Sequence, residues 1–356
     1  MSGTYYDGGF YVGVSSLEEI APFEECCTFR GSFIKLDART GKILWKTFTL
    51  PNNHGKRGEY AGGAIWGSSP SIDAPRNLVY IATGNLYSAP QHIQVCQERL
   101  NNQTNPPSNP DECIEPENHS DSIMALDMDS GKITWYRQLG GYDVWFLACA
   151  NLSTPNCPSG PNPDADFGEE PMMLSVEVNG TKRDIVAAVQ KSGFAWALDR
   201  DDGKIVWFTE AGPGGTGGGG IWGAATDTKR IYTNIANSKK LNFTLLPSKK
   251  VTNGGGWVAM DAGHGKILWS TADPKNAAVN PVTIANGVLL GGSTYSTGPV
   301  YAINAETGRI LWSYETGAAV FGGMSVSDGC MYVGHGYTAP VRPAGTYLFA
   351  FCIETP

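Results

Sequence analysis

Hydrophobic and polar residues alternate over short stretches of this chain, and the pattern recurs. One ten-residue phrase occurs five times: LDARTGKILW (36–45), LDMDSGKITW (126–135), LDRDDGKIVW (198–207), MDAGHGKILW (260–269) and INAETGRILW (303–312). Each copy begins with an apolar residue, an Asp or Asn, and three variable residues. A Gly, a basic residue and an Ile follow, and the phrase ends with a Trp two residues after the Ile. Apolar stretches on both sides of such a turn predict a β-hairpin in every copy.

The polar positions of the phrase specify its turn. The carboxylate or amide of the Asp or Asn can accept backbone N–H groups within the turn. The Gly supplies the positive φ that the turn requires. We expect the Trp in the second strand to pack back against neighbouring elements.

Further strand-like stretches accompany the hairpins, as in NLVYIATGN (77–85) and CMYVGHGY (330–337), which gives about four strands per unit. The distance between successive Trp residues of the phrase falls from 90 to 72, 62 and 43 residues along the chain. A unit of this length with four strands is typical of a β-propeller. The surplus of the longer units lies in Pro-, Asn- and Gly-rich loops at 86–120 and 150–170.

The repeats predict an all-β chain that forms a single β-propeller domain over residues 1–356. Five complete four-stranded blades are expected at about 1–50, 51–140, 141–212, 213–272 and 273–316, with a three-strand partial blade at 317–352. The chain begins directly with the first strand of a blade, so no strand is left to complete the last one. Its first residues, MSGTYYDGGFYVGVSS, lack the basic start and apolar stretch of a signal peptide. Both observations predict an N-terminal truncation.

Composition narrows the possible partners. The chain is 41% hydrophobic and only 17% charged, and its 45 Gly residues suit a protein with many strands and tight turns. A net charge of −8, with no run of Lys or Arg, argues against nucleic acid as the main partner. No apolar run approaches the length of a transmembrane span.

The cysteines suggest a secreted chain. Short spacings within loop-like sequence predict the pairs Cys96–Cys113 and Cys149–Cys157, and Cys330 with Cys352 could join the last strands. The adjacent residues Cys26 and Cys27 could each pair with a distant cysteine, remain free, or pair with each other. Five N-x-S/T sequons give mild further support for secretion and glycosylation, at Asn102, Asn118, Asn151, Asn179 and Asn242.

The Trp phrase resembles that of the quinoprotein alcohol dehydrogenases, eight-bladed propellers that bind pyrroloquinoline quinone (PQQ) and Ca²⁺. Four other stretches share the resemblance: GAIWGSSPSIDAPRNLVYIATGN (63–85), GGYDVWF (140–146), VQKSGFAWALDR (189–200) and GGGGIWGAATD (217–227). It covers essentially the whole chain and is closest to the polyvinyl alcohol dehydrogenase-like branch, particularly its plant members. An eight-bladed parent implies that about two N-terminal blades are absent here and that Met1 is an internal methionine of a longer protein.

The resemblance implies a site for PQQ at the propeller axis, where the family holds the quinone flat between a Trp face and a disulfide of adjacent cysteines. Trp66 matches the stacking Trp, and a Cys26–Cys27 bond would supply the opposite plate. This pair differs from that of the better-known bacterial enzymes, because it stands just before Arg30 rather than in an earlier blade. Arg30 and Trp222 complete the implied cofactor-binding set.

The same resemblance implies a Ca²⁺ site made of oxygen donors from different blades. Glu19 in GVSSLEE matches the family's Glu ligand, with Glu18 in reserve, and Asn85 in ATGN matches its amide ligand. Glu117 in EPENHSDSIMALD stands where the family has its catalytic Asp. It is therefore the implied catalytic base and third metal ligand, with Asp121 a further candidate.

Two functions are consistent with the resemblance. In the first, Ca²⁺ acts on the quinone carbonyl, a carboxylate takes the proton of an alcohol, and hydride passes to the quinone carbon. No CxxCH haem motif is present, so the electron acceptor would be external. In the second, the chain is a non-catalytic propeller that binds a glycan, a small metabolite or a protein, because propellers host unrelated functions.

Overall fold

The computed structural model describes residues 2–67, 69–100, 113, 115–151, 162–178, 180–337 and 345–353. The chain divides into two compact units, one of Met1–Met173 with Leu198–Lys204 and the other of Leu174–Ala197 with Ile205–Pro356. The prediction of a single domain over residues 1–356 stays a prediction.

The first unit contains two four-stranded antiparallel sheets. Strands β1 (Thr4–Tyr6), β2 (Gly9–Val14), β3 (Ser32–Asp37) and β4 (Ile43–Phe48) form the first sheet in chain order. The following elements are β5 (Ala61–Gly62), β6 (Ser71–Asp73), β7 (Leu78–Ala82), β8 (Leu86–Ser88), helix α1 (Gln91–Leu100), β9 (Ser122–Asp127) and β10 (Ile133–Gln138). The second sheet has the order β10-β9-β7-β6, and β5 pairs with β8 beside it. Short 3₁₀ helices lie at Glu18–Ile20, Ala74–Arg76 and Leu147–Asn151.

The later strands repeat the arrangement. A third sheet has β11 (Met172–Val178), β12 (Thr181–Val189), β13 (Phe194–Asp199) and β14 (Ile205–Glu210) in chain order. The fourth sheet has the order β15-β16-β19-β20 and consists of β15 (Ala225–Thr226), β16 (Arg230–Ile235), β19 (Gly256–Asp261) and β20 (Ile267–Ala272). Between β16 and β19 the chain forms a separate two-stranded sheet of β17 (Phe243–Thr244) and β18 (Val251–Thr252).

The last two sheets also follow chain order. One consists of β21 (Thr283–Ala285), β22 (Val288–Gly292), β23 (Pro299–Asn304) and β24 (Ile310–Glu315). The other consists of β25 (Ser325–Ser327), β26 (Cys330–Gly334) and β27 (Leu348–Cys352). Among the described residues, five sheets therefore have four strands and one has three, in an all-β, propeller-like fold. The number of blades in a complete protein stays a prediction.

The repeated phrase forms the predicted hairpin in all five copies, β3–β4, β9–β10, β13–β14, β19–β20 and β23–β24. In the first copy Asp37 Oδ1 accepts the backbone N–H of Thr40 at 2.7 Å, and Gly41 has a φ of 73°. In the last copy Asn304 Oδ1 accepts the N–H of Thr307 at 2.9 Å, and Gly308 has a φ of 71°. The turn chemistry inferred from the sequence is confirmed.

The Trp of one hairpin packs on the turn of the next. Four of the five Trp residues donate their indole N–H to a carbonyl in that turn, at 2.9–3.0 Å: Trp45 to Met128, Trp135 to Arg200, Trp207 to Ala262 and Trp269 to Ala305. A Cβ atom at Gly308 would lie 2.6 Å from the Trp269 ring, so the turn Gly serves this contact as well as the positive φ. The fifth, Trp312, is 40% exposed, whereas Trp269 is 1% exposed.

Disulfide bonds agree with the sequence wherever the described residues test them. Cys96–Cys113, Cys330–Cys352 and the adjacent pair Cys26–Cys27 are bonded. Cys149 is also disulfide-bonded, but its predicted partner Cys157 lies outside the described residues. In the part of the chain that the structure describes, no helix is long and apolar enough to cross a membrane.

Candidate functional site

Three carboxylates meet in the first unit. Oxygen atoms of Glu19, Asp164 and Asp166 all lie within 4.8 Å of one another. Both aspartates are 1% exposed, and Glu19 is half-buried. Carboxylates packed this closely repel one another unless a cation or a proton intervenes. Hard cations such as Ca²⁺ take oxygen ligands of this kind, so this acid group is a candidate metal site.

Asn85 is a candidate fourth oxygen donor, because its backbone is bonded to the acid group. Its backbone N–H donates to Asp166 Oδ1 at 2.5 Å. Its side-chain NH₂ donates to the carbonyls of Leu86 and Trp145, at 3.0 and 2.8 Å, which fixes the orientation of the amide. The remaining atom, Oδ1, is buried and accepts no hydrogen bond from the described residues. A buried acceptor is normally satisfied, and a cation held by the acid group would satisfy this one.

Glu19 is presented by the 3₁₀ helix Glu18–Ile20. The carboxylate of Glu18 accepts the backbone N–H groups of Thr28 and Phe29 at 2.8 and 2.7 Å, and the Thr28 hydroxyl at 3.1 Å. These bonds tie the helix to the segment that follows Cys26–Cys27. Glu18 is thus occupied by the backbone, whereas Glu19 joins the acid group.

Replacing Glu18 with Ala is expected to destabilise the protein by about 1.5–3 kcal/mol, because it removes charge-assisted hydrogen bonds to two backbone N–H groups. The shift of the urea unfolding midpoint measures this effect. Glu117→Ala, which removes an exposed carboxylate, is the control and is expected to stay within about 0.5 kcal/mol of the parent. Equal midpoints for both variants would contradict the role given to Glu18.

Trp66 lies beside the acid group. A Cβ atom at Gly84 would approach both Asp166 Oδ1, at 2.5 Å, and the Trp66 indole nitrogen, at 3.2 Å. A Cβ atom at Gly168 would collide with the far edge of the same indole ring. Two glycines therefore make room for the Trp66 ring next to Asp166.

The Cys26–Cys27 disulfide lies in an apolar cluster with Trp66. Both cysteines are at most 1% exposed. They pack with Ala61, Ala64, Tyr87 and Phe146, and the partly buried Trp66 packs against this cluster. The structure thus brings the predicted stacking Trp and the predicted disulfide plate into one cluster, and their contact with PQQ stays a prediction.

Tyr87 links the apolar cluster to the acid group. Burial raises the pKa of its phenol well above the ordinary value, and the negative charges of Glu19 and Asp166 raise it further. The hydroxyl therefore remains protonated at any physiological pH. It is a neutral hydrogen-bond donor close to three carboxylates.

Glu117, the predicted catalytic base, is exposed and is not a member of the acid group. The buried residue at this point is its neighbour Asn118, whose Oδ1 accepts the backbone N–H of Ser120 at 3.1 Å. A glycan on that buried amide does not fit the folded chain. Asp121, the further candidate, is fully buried, and its backbone N–H donates to the Gly84 carbonyl at 3.0 Å.

Arg30 and Trp222 have other surroundings. The Arg30 guanidinium donates twice to the Leu50 carbonyl, at 2.7 and 3.2 Å, and lies 4.0 Å from the centre of the Phe48 ring. Burial lowers the pKa of Arg30, and the charge of Glu117 partly opposes this. Trp222 belongs to the second unit and is 48% exposed. Cofactor binding by either residue stays a prediction.

Asp164 and Asp166 are not among the site residues predicted from the sequence. Both stand in PNPDADFGEE, in the loop region assigned to surplus between blades. The available signal was local, namely two acidic residues one position apart followed by Phe-Gly in a Pro-rich stretch. Nothing in that stretch shows that it folds back beside Asn85, some 80 residues earlier.

Comparison with known proteins identifies a family for this chain. The family "PQQ: Glucose/ethanol/alcohol dehydrogenase, beta-propeller domain" matches residues 26–213, and "Outer membrane protein assembly factor BamB" matches residues 249–339. A polyvinylalcohol dehydrogenase of Pseudomonas sp. is 30% identical over 94% of this chain and 52% of its own length. Another from Sphingopyxis sp. (strain 113P3) is 29% identical over 96% of this chain and 53% of its own length.

Among solved structures, the quinohemoprotein alcohol dehydrogenase of Comamonas testosteroni superposes with a TM-score of 0.65 at 20% identity, over 99% of this chain and 60% of that one. This likeness supports the fold. The chain spans about half the length of the curated relatives it matches. Since the matched family profile covers more than half of the residues, the chain belongs to the PQQ family of glucose, ethanol and alcohol dehydrogenase β-propeller domains.

Proposed function

We propose that this chain is the propeller part of a PQQ-dependent enzyme that oxidises an alcohol, with polyvinyl alcohol or a similar secondary alcohol as the substrate. The observation that carries the proposal is the buried Asn85 Oδ1, which lacks a hydrogen-bond donor among the described residues and belongs to a residue bonded to the acid group. The two polyvinylalcohol dehydrogenases that match almost the whole chain support the substrate class.

The donor set fits a hard cation such as Ca²⁺. Glu19, Asn85 and Asp164 would hold it, and Trp66 with the Cys26–Cys27 disulfide would enclose the quinone. When bound, the cation and the quinone supply the Lewis acid and the hydride acceptor of the reaction.

The chain's own residues then position the alcohol and handle its proton. We assign the proton of the alcohol to Asp166, because this carboxylate lies next to Trp66 and is buried, whereas Glu117 is exposed. The backbone N–H of Asn85 holds one oxygen of Asp166 in place, and a general base needs such fixed geometry to reach its proton. The apolar cluster around Tyr87 and Phe146 excludes water from one side.

Cofactor titration tests this proposal. The 356-residue chain, supplied with Ca²⁺, is titrated with PQQ, and the quenching of Trp fluorescence reports binding. We expect saturable binding that Trp66→Ala weakens at least tenfold, because the variant removes an aromatic stacking face. Trp312→Ala, which removes an exposed Trp, is the matched control and should bind like the parent.

Two results would count against the enzyme. A parent chain that never saturates with PQQ would exclude the cofactor site. Saturable binding without alcohol-dependent reduction of an added dye would instead favour the non-catalytic propeller.

We further propose an external electron acceptor and an oxidising, secretory location. The disulfide bonds support that location, since such bonds persist mainly outside the cytosol.

A further inference from the structure

A short segment, residues 143–145, lies between the two halves of the candidate metal site. Its backbone pairs with Leu86, the residue that follows Asn85. Leu86 donates its N–H to the Asp143 carbonyl at 3.1 Å, and Trp145 donates its N–H to the Leu86 carbonyl at 2.8 Å. This parallel bridge fixes the segment against β8, which begins one residue after Asn85.

The same segment orients the Asn85 amide. The Trp145 carbonyl accepts one of its NH₂ hydrogens at 2.8 Å. Because the NH₂ group is held on this side, the amide oxygen is fixed on the other. One half of the site therefore depends on the backbone of 143–145.

The Asp143 side chain holds the other half. Its Oδ1 accepts the backbone N–H of Asp164 at 3.1 Å, and its Oδ2 accepts that of Ala165 at 2.6 Å. The backbone N–H of Val144 donates to Asn162 Oδ1 at 3.2 Å. Asp143 is 1% exposed. Each of its oxygens accepts a backbone N–H, so it is bonded to the loop that carries Asp164 and Asp166. It is not itself a member of the acid group.

We propose that Asp143 is a positioning residue that couples Asn85 to Asp164 and Asp166, so that the metal donors are arranged before a cation binds. Residues that orient metal ligands matter nearly as much as the ligands themselves, and their loss typically weakens metal binding by about 10–100-fold. Asp143→Asn should have this effect. An amide has one oxygen that accepts and one NH₂ group that donates. The NH₂ group would therefore face the N–H of either Asp164 or Ala165, and that hydrogen bond would be lost.

Cation binding by the 356-residue chain tests the proposal, which rests on the metal site of the proposed function. Ca²⁺ affinity is measured by calorimetry, and Tb³⁺ affinity by luminescence excited through Trp. The matched control is Asp273→Asn in the second unit. Asp273 is also 1% exposed and accepts the backbone N–H groups of Lys275 and Ala277 at 2.9 and 2.8 Å. Thermal unfolding of both variants shows whether each is folded at the assay temperature.

We expect Asp143→Asn to weaken the affinity for both cations at least tenfold. Asp273→Asn should leave the affinity within twofold of the parent, although both variants should lose a similar amount of thermal stability. Asp143→Glu, which keeps both acceptor oxygens, should bind more tightly than Asp143→Asn. If the parent binds cations and Asp143→Asn binds them equally well, the positioning role is overturned and the metal site stands. If the parent binds neither cation, the metal site and the role of Asp143 both fall.

Should Asp143→Asn not fold, amide hydrogen exchange in the parent decides the matter. The N–H groups of Asp164 and Ala165 should be protected from exchange before any cation is added, because Asp143 already binds them. Protection that develops only with Ca²⁺ would overturn the proposal.

Discussion

Asp166→Asn should lower the turnover of an alcohol by about 10²–10⁴-fold, the usual contribution of a positioned general base. The substitution preserves size, and the amide oxygen can still accept the Asn85 N–H that Asp166 now accepts. What disappears is the negative charge that, under our proposal, takes the alcohol proton. Turnover is measured by dye reduction, with Ca²⁺ and PQQ at concentrations that saturate the variant, so that weaker cation binding does not enter the result.

Glu117→Gln is the informative comparison for this variant. The sequence predicts Glu117 as the base, and we propose Asp166 in its place. We expect Glu117→Gln to retain the parent's turnover within twofold, because this carboxylate is exposed and lies outside the acid group. Loss of turnover in Glu117→Gln with retention in Asp166→Asn would restore the sequence-based assignment and reject ours.

Trp269→Ala is expected to destabilise the chain by about 3–5 kcal/mol, the range for truncating a large buried aromatic side chain. Trp269 is fully buried among Tyr232, Trp257 and Ile303, and its N–H bonds the Ala305 carbonyl. The loss combines a cavity with the loss of one hydrogen bond to the Ala305 carbonyl, which keeps the Tyr232 hydroxyl, at 3.3 Å. The shift of the urea unfolding midpoint, followed by far-UV circular dichroism, gives the effect.

Trp312→Ala makes the same chemical change at the equivalent position of the last repeat. Its ring stacks on Tyr314 and touches Phe351, but 40% of it faces solvent. We expect a loss of about 1–2 kcal/mol, smaller than that of Trp269→Ala, since less apolar area is buried at this position. A loss equal to that of Trp269→Ala would mean that Trp312 is covered in solution, and a concentration-dependent midpoint would identify a second copy as the cover.

The hairpins were predictable because everything that specifies them lies within ten residues. The Asp or Asn, the Gly with positive φ and the Trp act locally, and so the phrase has the same structure in all five copies. The last copy differs from three others in sequence as well as in the exposure of its Trp. Thr47, Thr209 and Thr271, two residues after their Trp, donate hydroxyl groups to the next turn, whereas Tyr314 occupies that position in the last copy.

The candidate site was predictable only where a motif marks it. Glu19, Trp66 and Asn85 stand in recognisable phrases. The structure places Trp66 and Asn85 beside Asp166, and it places Glu19 within the acid group. Asp164 and Asp166 reach it through the bonds of their loop to Asp143, which is a long-range contact that local spacing does not encode. Glu117 was chosen by its place in the sequence, yet the chain buries Asn118 and leaves Glu117 in solvent.

The bond between Cys330 and Cys352 has a consequence for strand exchange between molecules. These cysteines face each other across β26 and β27, and β27 is the outer strand of a three-stranded sheet. Exposed outer strands are the usual starting points for swapping and fibril growth. Because β27 is covalently joined to its neighbour, it cannot leave for the sheet of another molecule while the bond is intact. Reductants in the storage buffer would remove this protection, and with it one barrier to swapped dimers.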